Sequence, residues 1–582
     1  MQQLRWMPVL ALEALAVLLA LPSPAGAEVF LSQPTVPGAL RGGPQDSPTM
    51  VLHVELERVL GGEALRAATA RSERLEAALR TTFASLPKGE HGTVGASAAR
   101  YALHRLFVQM HGWQLQGLDP SGGNWSTASP TAAFGSRVPE GVKAVFDGHL
   151  SARGFSLHEL ALLAAMLEYM VHGQIETQLH SIFGALQHPT DEPLSEGSAI
   201  RVIDAYMASY ILGANSSAMT LEMLQQFNST IQEQHPSWPE TKRFLREMQR
   251  EVRPGVAAFN FTDIVAVVET AADRFGQWQS GECLALKEEL VALEDAKGSG
   301  RVRLADFYGG AVHGGKWQFS ETVEYLRHLG AIDDADSSGP RVIIPNYIYS
   351  PANCLASSSF YAVCCIDECE ELLDHLESSI GQPTATPEEI VRLVSALPSA
   401  SGNTTLPPGL VRRLEEVAEH HGGHVPLHGR LLGQWLHHAR PRECPYPHVS
   451  GTTAPRRSEE WEVAAGQGTT ATEEEMAQHI QAAPERRPPQ SQGTDGEGLC
   501  SPMWTMEEEL VDAHAQRRHE EAAGGLLAAA RAAIAKHMAV RTSALLAAAV
   551  SLALALAKML RPACAACGFQ SMKAHKLPRY TM

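Results

Sequence analysis

Apolar positions between Ser47 and about Glu294 recur at helical spacing, and the chain reads as mainly α from that pattern alone. The clearest start is Phe155-Ser156-Leu157-His158-Glu159-Leu160. Ser156 is placed to cap, Glu159 to complete a capping box, and Phe155 to staple onto Leu160. Leu157 to Phe183 then stays apolar nearly all round, which predicts a central buried helix. Helices are also expected over Ala199–Leu212, Thr220–Gln234, Asp263–Phe275 (capped by Thr262, ended by Gly276), Leu286–Glu294 and Pro387–Leu397. Arg341–Tyr349 is β-branched and aromatic, but Pro345 confines it to an edge or an extended loop. From Val449 to Pro502 the residues turn to Pro, Gly, Thr, Gln and Glu, which predicts a disordered stalk. Thr505-Met506-Glu507-Glu508 then opens a further helix with another capping box.

Two runs are apolar without helical patterning. Near the start, Met1–Arg5 is basic, Val9–Leu21 is apolar, and Ala25-Gly26-Ala27 has the small residues of a cleavage site, so residues 1–27 read as a signal peptide. The second run is Thr542–Leu560. At 1.5 Å per residue it reaches roughly 28 Å, enough for one membrane-spanning helix. An alanine-rich amphipathic helix lying on a surface is the alternative. The basic tail 561–582 would be cytoplasmic, giving a type I, single-pass protein of the plasma membrane or an endomembrane. The expected order is signal peptide 1–27, helical ectodomain 28–280, a Cys/His-rich helical part 281–448, stalk 449–502, juxtamembrane helix 503–541, span 542–560 and tail.

Composition narrows the partners. A net charge of −18 over 582 residues speaks against nucleic acid. Five sequons, at Asn124, Asn215, Asn228, Asn260 and Asn403, fit a glycoprotein. Seven of the nine cysteines precede the apolar run: Cys283, Cys354, Cys364, Cys365, Cys369, Cys444 and Cys500. In an oxidising compartment they would staple the Arg341–Glu371 segment to its neighbours, each of the adjacent pair Cys364 and Cys365 bridging elsewhere, with one thiol left over. A zinc site is the rival use, but no paired C-x-x-C spacing supports it. Cys564 and Cys567 in the tail suit reversible acylation or nothing at all.

Two segments carry candidate chemistry. Asp295 to Asp306 (DAKGSGRVRLAD) resembles the twelve-residue calcium loop of the EF-hand family, which implies Asp295, Ser299, the Arg301 carbonyl and Asp306 as calcium ligands. Lys297 at a ligand position and aspartate in place of the final glutamate depart from that pattern. Asp333–Gly339 begins like a second loop and reads as a capped turn. His420, His421, His424, His428, His437, His438 and His448 form a dense patch in which His424, His428, His437 and His438 are the candidate zinc or copper ligands. Surface or capping histidines, or histidines protonated at endosomal pH, are the other readings. No phosphate-cradling loop, nucleophile elbow or dinucleotide fingerprint is present, and no catalytic residue is assigned.

The blocks RYALHRLFVQMHGWQLQG (100–117), GSGRVRLADFY (298–308), RVIIPNYIYSPANCLASSSFYAVCC (341–365) and HVPLHGRLLGQWLHHARPRECPYPH (424–448) resemble a family of uncharacterised proteins of dinoflagellates and other unicellular algae. That resemblance implies no activity. The leading expectation is a non-enzymatic membrane glycoprotein whose ectodomain binds an extracellular or luminal protein or glycan. A metal-dependent enzyme built on the His420–His448 patch, and a calcium-responsive binding protein, are the alternatives.

Overall fold

The structure, a computed structural model, describes residues 52–118, 129–213, 219–398, 406–483 and 503–511, apart from single positions and short loops inside those ranges. The signal-peptide and membrane-span segments, Asn124, Asn215, Asn403, Cys500, Cys564 and Cys567 lie outside the described residues. The elements, in chain order, are α1 (Gly62–Ser85), α2 (Ala96–His111), β1 (Trp113–Leu115), α3 (Glu140–Arg153), α4 (Leu157–Ala185), β2 (Leu194–Ser195), α5 (Glu196–Ile211), α6 (Leu221–Gln234), α7 (Trp238–Val252), β3 (Ala258–Phe259) and α8 (Phe261–Ala292). There follow β4 (Arg301–Arg303), α9 (Leu304–His313), α10 (Val323–His328), β5 (Ile332–Asp333), β6 (Arg341–Ile343), α11 (Ile344–Ile348), β7 (Tyr361–Val363) and α12 (Cys369–Ile380). The last are β8 (Thr384–Ala385), α13 (Pro387–Ala396), α14 (Pro408–His420), β9 (Val425–Pro426), α15 (Arg430–Ala439), α16 (Ser458–Ala465) and α17 (Glu473–Ala482). The class is mainly α. Among the described residues no helix is long and apolar enough to cross a membrane.

Buried apolar side chains gather in three cores. The first joins α1 to α7, the first half of α8 and the strand residues Tyr361 and Val363. The second takes the other half of α8 (Cys283, Leu290) with α9 to α11. The third is built from α12 to α15 around Trp435. Helix α4 is the axis of the first core. Ser156 and Glu159 form both halves of the expected capping box, and Leu160 to Leu167 are without exception buried. No polar face remains toward solvent over those two turns.

Helix α8 runs far past its expected end. Asn260, not Thr262, caps it through a box with Asp263, and Gly276 does not stop it. The glycine is there for approach: a Cβ on Gly276 would stand 2.0 Å from the His111 carbonyl oxygen. Gly112, at φ +69°, closes α2 in the left-handed conformation that glycine adopts without strain, directly against Gly276. Two bare backbones therefore touch where α2 ends on α8.

Three further expectations are corrected. Arg341–Ile343 is the middle strand of a three-stranded sheet, β4-β6-β5, and not an edge. Pro345 sits in the first turn of α11, where its missing N–H is not needed. The expected stalk is folded as far as residue 483: α16 and α17 set Trp461, Met476 and Ile480 against the second core. Average composition hid a few well-spaced apolar residues. Finally, residues 503–511 form an extended strap along the N-terminus of α15 and no helix. Arg430 donates to the carbonyls of Thr505 and Glu507, Leu510 bridges to Gly429, and Val511 N–H donates to the His428 carbonyl. Glu508 accepts from the Leu431 N–H at 3.1 Å, so it caps α15 and not a helix of its own.

Six cysteines stand in pairs at disulfide distance: Cys283–Cys365, Cys354–Cys364 and Cys369–Cys444, with Cα atoms 5.8, 4.2 and 4.6 Å apart. The neighbours Cys364 and Cys365 do reach different partners.

Candidate metal centre

The most unusual chemistry of the described residues lies in the first core, between α1, α2, α4 and α8. His111 ends α2 and is stacked on Trp113, their ring centroids 4.1 Å apart. Its Nδ1 lies 2.9 Å from the Asp273 carbonyl oxygen. A carbonyl only accepts, so Nδ1 carries a proton and Nε2 is left with either a lone pair or a second proton. Nε2 is buried without a hydrogen-bond partner and faces Glu168 Oε1 at 3.5 Å, beyond hydrogen-bond length.

Glu168, on α4, is completely buried. Arg74 engages its Oε1, while Oε2 has no hydrogen-bond partner and stands 4.0 Å from Arg71 Nε. Burial alone would raise the Glu168 carboxyl, but a proton on His111 Nε2 and the Arg74 guanidinium outweigh it and hold the group down to about 2, whereas with Nε2 as a lone pair only Arg74 acts in that direction. One helical turn further on, His172 places Nε2 3.0 Å from Asp273 Oδ1 and Nδ1 3.6 Å from Glu269 Oε1. Burial works against its protonation, yet Asp273, Glu269 and Glu168 together raise its pKa. Glu269 is itself raised, chiefly by burial.

One ligand atom each from His111, Glu168 and Asp273 lies within 4.8 Å of the others, and among the described residues no other His/Cys/Asp/Glu group converges so closely. Glu168 and His111 form the buried floor. The side chain of Asp273, 24% exposed, forms the rim. The sequence holds a faint sign of this centre: Glu168 and His172, and Glu269 and Asp273, are i,i+4 pairs on two helices. Nothing local joins them to His111, and sequence reasoning passed them over.

The expected calcium residues are near one another but already occupied. Asp295 Oδ1 accepts from Ser299 Oγ at 2.5 Å and from Ala296 N–H at 2.6 Å, and its Oδ2 faces Arg341 Nη1 at 3.3 Å. The Arg301 carbonyl accepts from Asp295 N–H at 3.0 Å. Asp306 is turned to Arg303, which grips it at 2.7 and 3.0 Å. The neighbouring Asp333 takes Arg301 and Arg341 at 2.7 and 2.8 Å. Lys297 is exposed, and Gly300, at φ +65°, lies against the Pro441 carbonyl.

The candidate transition-metal histidines do not converge, and the surface reading fails for several of them. His424 is exposed. His428 is buried with Nε2 2.7 Å from Glu377, and His437 is buried with Nδ1 2.7 Å from the Cys444 carbonyl. His438 lies beside Trp504, their ring centroids 5.8 Å apart. Burial, Arg301 and His438 push His437 well down, and burial with Arg301 and Arg413 brings His438 to about 4. Those two resist protonation at endosomal pH. His421 instead pairs with Glu508 of the strap at 2.7 Å, and His448 meets the Gly330 carbonyl at 2.8 Å.

No family model, curated protein or solved structure matches the chain.

Proposed function

We propose that the protein is a non-enzymatic glycoprotein of the secretory pathway, anchored by the Thr542–Leu560 segment, whose disulfide-fixed helical body binds an extracellular or luminal protein or glycan. The observation that carries this reading is the pairing of six cysteines. Cys283–Cys365 ties α8 to the segment after β7, and Cys369–Cys444 joins α12 to the turn after α15. Such cross-links suit an oxidising compartment and constrain the unfolded chain most where the loop is long, here 82 and 75 residues. The sequons at Asn228 and Asn260 lie at exposed positions, as attachment of a glycan requires.

Within this reading, residues 261–348 are a pair of EF-hand-like helix–loop–helix units joined by β4 and β6, held by arginine instead of calcium. Val302 and Val342 face each other across that pairing, both fully buried. Every carboxylate of the expected ligand set already has an arginine partner. The resemblance of the blocks at 100–117, 298–308, 341–365 and 424–448 to an algal family stands as part of the same proposal.

The test is expression of the full chain in a secretory host. A glycosidase-sensitive mass, faster migration without reductant and recovery in carbonate-washed membranes are expected. A cytosolic, unglycosylated product with all nine thiols free would overturn the reading.

A further inference from the structure

We propose that His111, Glu168 and Asp273 form a binding site for one divalent transition ion, with zinc the ion that best fits the donors. The site is independent of the secretory reading and of both segments that the sequence singled out.

The argument begins with His111. Its Nδ1 proton is committed to the Asp273 carbonyl. Metal-bound histidines are oriented in the same way, with one ring nitrogen donating to a carbonyl or carboxylate and the other presenting its lone pair. The lone-pair position, Nε2, is buried and without a hydrogen-bond partner, and so is Glu168 Oε2. Leaving two such atoms unsatisfied in a core that is otherwise close-packed is costly. A cation beside Nε2 takes its lone pair, with the Glu168 carboxylate, Oε1 3.5 Å away, as the second donor.

Distances agree. Ligands on an ion with bonds of about 2.0–2.2 Å stand roughly 3–4 Å apart. His111 Nε2 and Glu168 Oε1 are already 3.5 Å apart. One donor atom from each of the three lies within 4.8 Å of the others, and Asp273, whose Oδ1 stands 4.0 Å from His111 Nδ1, has to swing toward Nε2 by on the order of 1 Å or more to close the shell. It is the rim residue and the least confined of the three. His172, 3.0 Å from Asp273 Oδ1, orients that carboxylate. Arg74 holds Glu168 Oε1 and has a side chain 52% exposed, so it can keep that bond or withdraw to solvent as the ion enters.

Donor chemistry selects the ion. One imidazole and two carboxylates suit zinc, whereas calcium prefers an all-oxygen shell and thiolate-seeking metals find no sulfur here. Three protein ligands leave a fourth position for water on the Asp273 side.

The experiment uses the full-length oxidised chain, equilibrated with micromolar zinc, freed of excess and counted for metal. About one zinc per chain is expected, with cobalt(II) giving visible absorption of a four-coordinate nitrogen–oxygen site. His111→Gln and Asp273→Asn are expected to lower affinity at least about tenfold, and His172→Gln by about tenfold. His424→Gln, in the exposed histidine segment, is expected to leave binding unchanged. A folded wild-type chain without zinc or a cobalt spectrum would overturn the proposal, as would H111Q with full occupancy or H424Q without it. Should H111Q lose its helical circular dichroism, D273N at the rim and the wild-type cobalt spectrum decide.

Discussion

Two parts of the molecule concentrate negative charge, and they neutralise it by opposite means. In the β4–β6 region, Asp295, Asp306 and Asp333 each face an arginine guanidinium, and Asp333 faces two. Between α1, α2, α4 and α8, Asp273 looks onto histidines and Glu168 gives only one oxygen to an arginine, Arg74, while its other oxygen and His111 Nε2 are left without hydrogen bonds. A guanidinium is a permanent, forked cation that fills carboxylate lone pairs and leaves no room for another ion. An imidazole offers a lone pair or a proton according to what arrives. Resemblance to a metal-binding pattern therefore fell on carboxylates that already carry arginine partners. The better-placed donors sit on three helices with no shared motif.

The largest perturbation acts on the histidine side. Gly276→Ala places a methyl group against the His111 carbonyl, so α2 must lift from α8. A loss of about 4 kcal/mol in urea unfolding is expected, together with loss of zinc. A stable alanine variant would show that the close approach is not what positions His111.

Acid comes next and separates the groups by pH. The folded-state pKa of Glu168 is depressed to about 2 from 4.5, so its contribution is present above about 4.5 and lost as pH falls toward 2. About 3 kcal/mol is at stake, and Glu168→Gln should flatten that part of the profile. His438, depressed to about 4 from 6.5, likewise favours the folded state above about 6.5, and that contribution falls away toward pH 4. His438→Gln should remove part of the upper limb, the rest belonging to the likewise depressed His437, and spare the lower.

On the arginine side, Arg301→Ala leaves Asp333, with a side chain only 2% exposed, with Arg341 as its one remaining cation. A cost of about 2 kcal/mol is expected by chemical denaturation. The smallest effect is the most diagnostic. Millimolar calcium should move the melting temperature by less than about 1 °C, whereas a bound ion at saturation would raise it by several degrees.

Local signals were legible in the sequence, and contacts over long distances were not. Ser156 and Glu159 announced α4, and α6 and α13 run within a residue of their expected bounds. The adjacent cysteines correctly implied separate partners. The same local logic failed where a distant element intervened. Gly276 looked like a helix stop because its partner, the backbone at His111, is far away in sequence. Thr505 and Glu508 looked like a capping box, but Arg430 and the N-terminus of α15 claim both side chains. Trp461 and Met476 were diluted by polar neighbours, although two apolar anchors suffice to dock short helices. The His111–Glu168–Asp273 centre was invisible for the same reason, since its parts meet only when α2 ends on α8.

The vicinal cysteines have a further consequence. Strand β7 pairs with β1 so that Val363 faces Trp113, and the Cys364 N–H continues the ladder to the Gly112 carbonyl. Successive residues of an extended chain point to opposite sides, and a slip of one place exchanges them. Cys364 then would meet the partner of Cys365, and neither cross-link would close as drawn. In an oxidising compartment, closure of both pairs would therefore act as a check on that alignment. It seals a two-letter record of strand alignment, and a chain that zipped up out of phase is marked by its unspent thiols.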